Sequence, residues 1–268
     1  MKIVFSIFFL LLMIGCKDKN PETKSVDEVI PNPQEFLRDY VKNPNINDRI
    51  CKDDIERAQK DLGKYKNIYV RTSCFGCKFL PYEDEVLEYT AKQKFKVINY
   101  NFSCVIIDGQ TQGCYKAFID LEMENVHGKN FRQKIEQEAE KLMIENIKNH
   151  DKVLSVFDLA ESDKPHFTKE DNLIKQGYIP IIKTGLPLKN AKRNSIFMDI
   201  SFIVEKNGKV STLKNENWVN EVKENEKYKS ELEIIAENTI LTNYNNWKPG
   251  KYKNTIARVK NYFRVNFE

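Results

Sequence analysis

The stretch Asn246-Trp247-Lys248-Pro249-Gly250-Lys251-Tyr252, followed by residues 255–267, decides how the end of this chain folds. Within residues 255–267 apolar and polar side chains alternate, which is typical of an antiparallel strand with one buried face. The apolar set is Ala257, Val259, Phe263, Val265 and Phe267, and the polar set is Arg258, Lys260, Tyr262 and Arg264. Pro249 and Gly250 predict the turn from which this strand begins.

Two earlier segments predict partners for this strand. Residues 196–204 alternate in the same way, and Glu205-Lys206-Asn207-Gly208 predicts a hairpin turn before a returning strand at residues 210–213. Residues 227–241 have helical spacing, with an apolar face made of Leu232, Ile235, Ala236, Thr239 and Ile240. Because both apolar faces must be buried, the sequence predicts one helix packed across a small antiparallel sheet.

This ordered pattern resembles the TonB C-terminal domain. The resemblance is carried by residues 202–210, by Trp247-Lys248-Pro249-Gly250-Lys251 and by the terminal Val265-Asn266-Phe267, and it covers about the last 75 residues. It implies a small antiparallel sheet on one helix, with Gly208, Trp247, Pro249 and Gly250 as the structural motif. The chain departs from the family in its long charged stretch at residues 215–229.

The first residues of the chain predict export and lipid attachment. Lys2 precedes an apolar run at residues 3–14, which is shorter than the roughly 20 residues that a membrane span needs. Gly15-Cys16 then resembles a lipobox, in which the cysteine becomes the first mature residue and is acylated. We expect residues 1–15 to be a lipoprotein signal peptide and Cys16 to be the lipid attachment site. The alternatives are a plain export signal and an uncleaved anchor.

The rest of the chain predicts an α+β protein of two domains. Residues 16–33 are polar and contain three prolines, which indicates a flexible tether. Residues 34–163 predict an α+β N-terminal domain, residues 164–190 a connector, and residues 191–268 the TonB C-terminal-like domain. In the N-terminal domain we expect helices at 53–65, 81–93 and 131–148, a strand at 67–72, and a hairpin with strands at 95–107 and 114–123.

Five cysteines remain besides Cys16, and export makes disulfides permissible. Cys104 and Cys114 are equidistant from Gly109, the centre of the predicted hairpin, so we expect them to form a cross-strand disulfide. Cys51 is then left over, and it is an alternative partner for Cys74 or Cys77.

The motif Cys74-Phe75-Gly76-Cys77 follows a predicted strand and precedes a predicted helix, which is the setting of a thioredoxin-like redox motif. A second βαβ unit and a neighbouring cis-proline, which that fold requires, are not evident in the sequence. We therefore interpret the motif first as structural, either a disulfide or plain buried thiols, with thiol-disulfide exchange as the alternative activity.

Composition and motifs exclude several classes of protein. Without residues 1–15 the chain has 42 Lys and Arg against 39 Asp and Glu, a balance with no basic block, so nucleic acid is not expected as a partner. The three histidines are isolated, and no phosphate-binding, dinucleotide-binding or serine-nucleophile motif is present, so we expect no metal and no cofactor.

These observations predict a protein-binding or scaffold lipoprotein of the cell envelope that is not an enzyme. TonB C-terminal domains grip an extended receptor segment, and an exposed strand edge can do so through main-chain bonds. We expect the last strand to be such an edge, with Arg258, Lys260, Tyr262 and Arg264 available to an outer-membrane receptor or another envelope protein. The lipid would hold the protein in the outer membrane of a Gram-negative bacterium, with the sequence leaving the periplasmic or surface face open.

Overall fold

The structure, a computed structural model, describes residues 33–73, 80–102, 105, 107–168, 177, 179, 181–189 and 196–268. Within this part the chain has a mixed α+β fold, as the sequence predicts. Its helices are α1 (Pro33–Tyr40), α2 (Arg49–Leu62), α3 (Glu83–Lys92), α4 (Cys114–His127), α5 (Phe131–Asn149) and α6 (Lys229–Asn243). Its strands are β1 (Ile68–Ser73), β2 (Lys96–Asn101), β3 (Val153–Ser155), β4 (His166–Phe167), β5 (Ile196–Val204), β6 (Val210–Val219), β7 (Trp247–Lys248), β8 (Lys251–Tyr252), β9 (Thr255–Ile256) and β10 (Arg258–Phe267).

The C-terminal part of the chain builds a four-stranded sheet in the order β3-β10-β5-β6. β10 runs antiparallel to β5, and β5 forms the predicted hairpin with β6. The predicted apolar face of the last strand is confirmed, because Val259, Phe263, Val265 and Phe267 are all nearly or fully buried. Helix α6 covers this face with Leu232, Ala236 and Ile240, which share one core with β5 and β10.

Trp247 and Gly208 hold the hairpin against the segment that leads into β10. The Trp247 ring is 6% exposed and lies 5.7 Å from the rings of both Phe202 and Phe263. Its backbone N–H donates to the Gly208 carbonyl at 2.9 Å. Gly208 has φ of +79°, and a Cβ there would overlap the Trp247 carbonyl. The turn therefore requires glycine at this position.

The N-terminal part contains a parallel β1–α3–β2 unit, where the sequence predicts a hairpin of strands at 95–107 and 114–123. β1 and β2 pair in parallel, with Ile68 opposite Lys96 and Ser73 opposite Asn101. The predicted strand at 114–123 is wrong, because this segment is helix α4. The buried residues Tyr115, Ile119 and Met123 recur every fourth position, which is a helical spacing. With no hairpin, the expected pairing across Gly109 loses its basis.

The predicted disulfide between Cys104 and Cys114 is also wrong. Cys114, at the start of α4, is bonded to Cys51 in the first turn of α2, and their Cα atoms lie 5.2 Å apart. Both side chains are fully buried. The bond therefore fastens α2 to α4, on one side of the β1–β2 pair. Cys16, Cys74, Cys77 and Cys104 lie outside the described residues.

A separate buried cluster joins helix α5 to the four-stranded sheet. Met143 and Ile147, from the last turns of α5, pack with Leu154 of β3 and Val259 of β10. β3 pairs in parallel with the first residues of β10, from Arg258 to Lys260. The C-terminal sheet thus includes a strand that precedes residue 164 in the chain. No helix in the described residues is both long and apolar enough to cross a membrane.

Candidate functional site

The predicted binding residues of β10 lie on its outward face, and carboxylates from β5, β6 and the turn between them neutralise its three cations. Arg258 donates to both oxygens of Glu205, at 2.7 and 2.8 Å, and Lys260 donates to Glu216 at 2.8 Å. Arg264 donates to both oxygens of Asp199, at 2.8 and 3.0 Å. Arg264 therefore links β10 to the adjacent strand β5, whereas Lys260 reaches across β5 to β6 and Arg258 holds the turn between β5 and β6. Opposite charges on one face of a sheet stabilise it.

Glu216 is the carboxylate most affected by this outward face. Hydrogen bonds from Lys214, from Lys260 and from the Ser201 hydroxyl lower its pKa to about 2. The same pattern holds for Glu205, where the hydrogen bonds from Arg258 lower the pKa. Glu205 and Glu216 therefore stay ionised, and their oxygens already accept hydrogen bonds. They are poorly suited to proton transfer near neutral pH.

The outer edge of β10 is already occupied, so the prediction that it is a free edge is wrong. β3 covers its first three residues. Further along, the Arg264 N–H donates to the Gly177 carbonyl at 2.8 Å, and the Ile182 N–H donates to the Asn266 carbonyl at 2.9 Å. Because β5 lies on the other side, both edges of β10 have main-chain partners. A bound peptide could pair with β10 only by displacing these segments.

Strand β6 forms the opposite edge of the same sheet, and its shape discourages pairing. Its register with β5 shifts at two places, between Asp199 and Ile200 and between Ser201 and Ile203. Thr212 has φ of +50°, and the Val210 N–H at the start of β6 donates to the Asn245 side chain at 2.6 Å. Bulges and capped edge groups are devices that protect a sheet from edge-to-edge association.

The outer side of β1 is closed by side chains from α4 and α5. The Ile68 N–H contacts the Met123 sulfur at 3.3 Å, and the Val70 carbonyl accepts from Arg132 at 3.0 Å. Arg132 also donates to Asp120 at 2.7 Å and lies 4.3 Å from the Tyr69 ring. Burial raises the pKa of the Tyr69 phenol to about 12, so this cluster carries a neutral tyrosine beneath a paired arginine.

The outer side of β2, in contrast, is an open strand edge. The Lys96 N–H donates to the Asn67 carbonyl and the Phe102 N–H to the Ser73 carbonyl, which fixes the direction of the intervening backbone groups. The N–H and C=O groups of Val97, Asn99 and Asn101 must therefore point away from β1. Within the described part of the chain no group pairs with them. The register with β1 is continuous from Lys96 to Asn101, so this edge has no bulge.

The side chains around β2 hold the strand rigidly in place. The Tyr100 hydroxyl donates to Asp54 at 2.7 Å, and its ring stacks on the Tyr115 ring at 5.5 Å. Asp54 also accepts from the Tyr115 backbone N–H at 3.1 Å, and Arg57 lies 4.5 Å from the Tyr115 ring. Since α2 and α4 are joined by the Cys51–Cys114 bond, this side of β2 is fixed before any partner arrives. A preorganised edge loses little entropy on binding.

A polar groove of about 510 Å³ lies between the β5–β6 turn and the end of α5, lined by Asp151, Glu205, Lys206, Asn207 and Arg258. Its charges are paired internally, because Lys206 donates to Asp151 at 3.0 Å and Arg258 donates to Glu205. Among the described residues, no cluster of three or more histidine, cysteine or acidic side chains is placed to hold a metal ion. The charges of the groove are thus compensated within it, and the groove offers no reactive group on which a function could be proposed.

The sequence predicts a free edge at β10 and gives no sign of the open edge at β2. The signal for β10 was its side-chain alternation, whereas an open edge depends on which strands lie beside it, which side-chain patterns do not show. Comparisons of the chain with models of protein families, with curated proteins and with solved structures found no match in any of the three.

Proposed function

We propose that this chain is an exported lipoprotein, anchored in the outer membrane of the cell envelope through Cys16, that binds an extended segment of another envelope protein. The observation that carries this proposal is the open edge of β2, where three N–H and three C=O groups of Val97, Asn99 and Asn101 point outward without partners in the described chain. Strand addition to such an edge supplies affinity through main-chain hydrogen bonds.

We propose that the C-terminal part is a TonB C-terminal-like scaffold that supports the binding unit without contacting the partner itself. Strand β5, its hairpin partner β6, helix α6 and strand β10 follow one another in the order that the resemblance implies, with α6 packed on one face of the sheet. In this reading the C-terminal part is a rigid scaffold, since its last strand is covered on both sides. Contact with the partner then falls to the parallel unit of β1 and β2.

Site-specific crosslinking in intact cells tests this proposal. A photoreactive amino acid at Asn101, on the β2 edge, should crosslink an envelope protein, whereas the same group at Asn238, exposed on α6, should not. Asn99→Pro should abolish the Asn101 crosslink, because proline removes an outward N–H while sparing the bonds to β1. Equal crosslinking from both positions, or an Asn101 crosslink that survives Asn99→Pro in folded protein, would contradict edge binding.

Thiol-disulfide exchange at Cys74 and Cys77 is the second candidate. The observation that favours it is that β1 ends at Ser73, immediately before the motif, and that α3 leads from it to the parallel strand β2. This is the strand, motif, helix and parallel strand order of thioredoxin-like sites. Reduction of insulin by the purified protein, lost in Cys74→Ser and kept in Cys51→Ala, would favour this activity. If the wild-type protein does not reduce insulin, thiol-disulfide exchange is excluded as its activity.

A further inference from the structure

The start of the open β2 edge is surrounded by lysines that lack carboxylate partners. Lys66 lies two residues before Ile68, whose partner across the sheet is Lys96, and Lys94 lies two residues before Lys96. All three lysines are therefore at the same end of the β1–β2 pair, and all three are exposed. Within the described chain none of them is in an ion pair, and the Lys96 ammonium instead lies 5.5 Å from the Tyr65 ring.

This lysine group differs from the cations of the four-stranded sheet. Arg258, Lys260 and Arg264 each have a carboxylate within hydrogen-bonding distance, so their charge is already compensated. Lys66, Lys94 and Lys96 keep their full charge beside the row of outward N–H and C=O groups. Uncompensated charge next to an unpaired backbone edge selects a partner of opposite sign and speeds its approach.

We propose that the β2 edge binds an extended polypeptide segment of another protein that carries acidic side chains at the end placed beside Lys96. The main-chain groups of Val97, Asn99 and Asn101 would pair with the segment, and Lys66, Lys94 and Lys96 would contact its acidic side chains. This inference rests on the proposed binding function and names the chemistry of the partner. A neutral or basic segment could form the same main-chain bonds but would not gain the ionic contacts.

The direct test uses a synthetic peptide, Glu-Asp-Glu-Val-Thr-Val-Thr-Val, and the protein purified from membranes in mild detergent. Fluorescence anisotropy should show binding that weakens as salt is added, since exposed ionic contacts are screened. A peptide in which lysines replace the three acidic residues should bind more weakly. The acidic peptide with alternate amides N-methylated should not bind, because its side chains are unchanged but its strand pairing is blocked.

Two variants of the protein locate the site. The triple variant Lys66→Glu/Lys94→Glu/Lys96→Glu should bind the acidic peptide roughly tenfold more weakly and should now prefer the lysine peptide. Asn99→Pro should abolish binding of both peptides while leaving the circular dichroism spectrum unchanged. Hydrogen exchange should show protection of residues 97–101 on addition of the acidic peptide to wild-type protein.

Several outcomes would overturn the inference. Absence of binding at millimolar acidic peptide, equal binding by the triple variant, or protection confined to β6 would each do so. If deletion of residues 17–32 makes the β2 edge accessible, the chain's own tether fills that edge in the intact protein. A dimer whose dissociation exposes residues 97–101 would assign the edge to a second copy. If Asn101 still crosslinks an envelope protein in the triple variant, the binding function stands and only the acidic partner is excluded.

Discussion

Lys152 donates two hydrogen bonds, of 2.6 and 2.7 Å, to the two carboxylate oxygens of Glu85, whose side chain is only 2% exposed. Asn146 adds a third hydrogen bond, of 2.9 Å, to the same carboxylate. Glu85 belongs to α3 of the parallel unit, and Lys152 immediately precedes β3, the strand beside β10. This buried ion pair therefore connects the unit that carries the open edge to the four-stranded sheet.

Loss of Lys152 should destabilise the protein strongly. We expect Lys152→Met to lower the free energy of unfolding by about 3 kcal/mol, because it leaves a buried carboxylate without its counter-ion. The double variant Glu85→Gln/Lys152→Met should recover much of that loss in urea unfolding. Lys92→Met is the matched control, since its partner Glu88 is exposed and such pairs contribute roughly 0–1 kcal/mol. Equal losses for Lys152→Met and Lys92→Met would show that the buried pair has no special role.

Gly208 should tolerate no side chain, whereas Gly109 should tolerate one. Both have positive φ, of +79° and +68°, so alanine costs about 1–2 kcal/mol of backbone strain at either position. Only at Gly208 would the Cβ also overlap the Trp247 carbonyl, while no atom of the described residues lies within 4 Å of a Cβ at Gly109. Thermal unfolding should show a clearly larger loss for Gly208→Ala. A similar melting temperature for the two variants would mean that the turn moves away from Trp247 at little cost.

The sequence predicted those elements whose side-chain period is regular. Residues 196–204 and 255–267 alternate cleanly, and the structure makes them β5 and β9–β10. Residues 114–123 contain many aromatic and apolar side chains, which favoured a strand, although Tyr115, Ile119 and Met123 already had helical spacing. The expected Cys104–Cys114 disulfide was wrong for the same reason, since it depended on a hairpin that included this strand.

Features that depend on distant pairing could not be predicted from the sequence. β3 contacts β10 across more than a hundred residues of chain, and its three residues carry no pattern that indicates this partner. This pairing closes the first part of the outer edge of β10, which the sequence predicted to be free. The sequence showed Lys94 and Lys96 close together, but only the parallel register placed Lys66 beside them.

The bond between Cys51 and Cys114 should contribute much of the stability of the α2–α4 side. It closes a loop with a sequence separation of 63, for which the chain-entropy estimate is about 4 kcal/mol. Cys51→Ala/Cys114→Ala should therefore lower the free energy of unfolding by an amount of that order in urea. Peptide mapping without reduction should recover a Cys51–Cys114 crosslinked peptide. A Cys104–Cys114 peptide in its place would contradict the pairing.

Acid should weaken the four-stranded sheet between about pH 4.5 and pH 2. Hydrogen bonds from lysines hold the pKa of Glu216 at about 2 in the folded state, below its ordinary value of 4.5. A depressed carboxylate pKa stabilises the fold above the ordinary pKa, and this contribution is lost as pH falls through the folded value. We expect the urea concentration at the unfolding midpoint to decrease as the pH is lowered through that range, and to decrease less for Glu216→Gln. An identical acid profile for the variant would exclude Glu216 as a cause.

Lipidation of Cys16 is expected from the apolar run that ends in Gly15-Cys16. The wild-type protein should fractionate with membranes, and its first peptide should begin at Cys16 and carry the mass of added acyl chains. Cys16→Ser should abolish the acyl mass and release the protein from the membrane fraction, because several acyl chains anchor firmly where polar contacts do not. Cys51→Ala is the matched control, since it removes a cysteine of the folded part and should leave membrane attachment unchanged. A wild-type protein without acyl mass, or a Cys16→Ser variant that stays in the membrane after signal cleavage, would contradict this prediction.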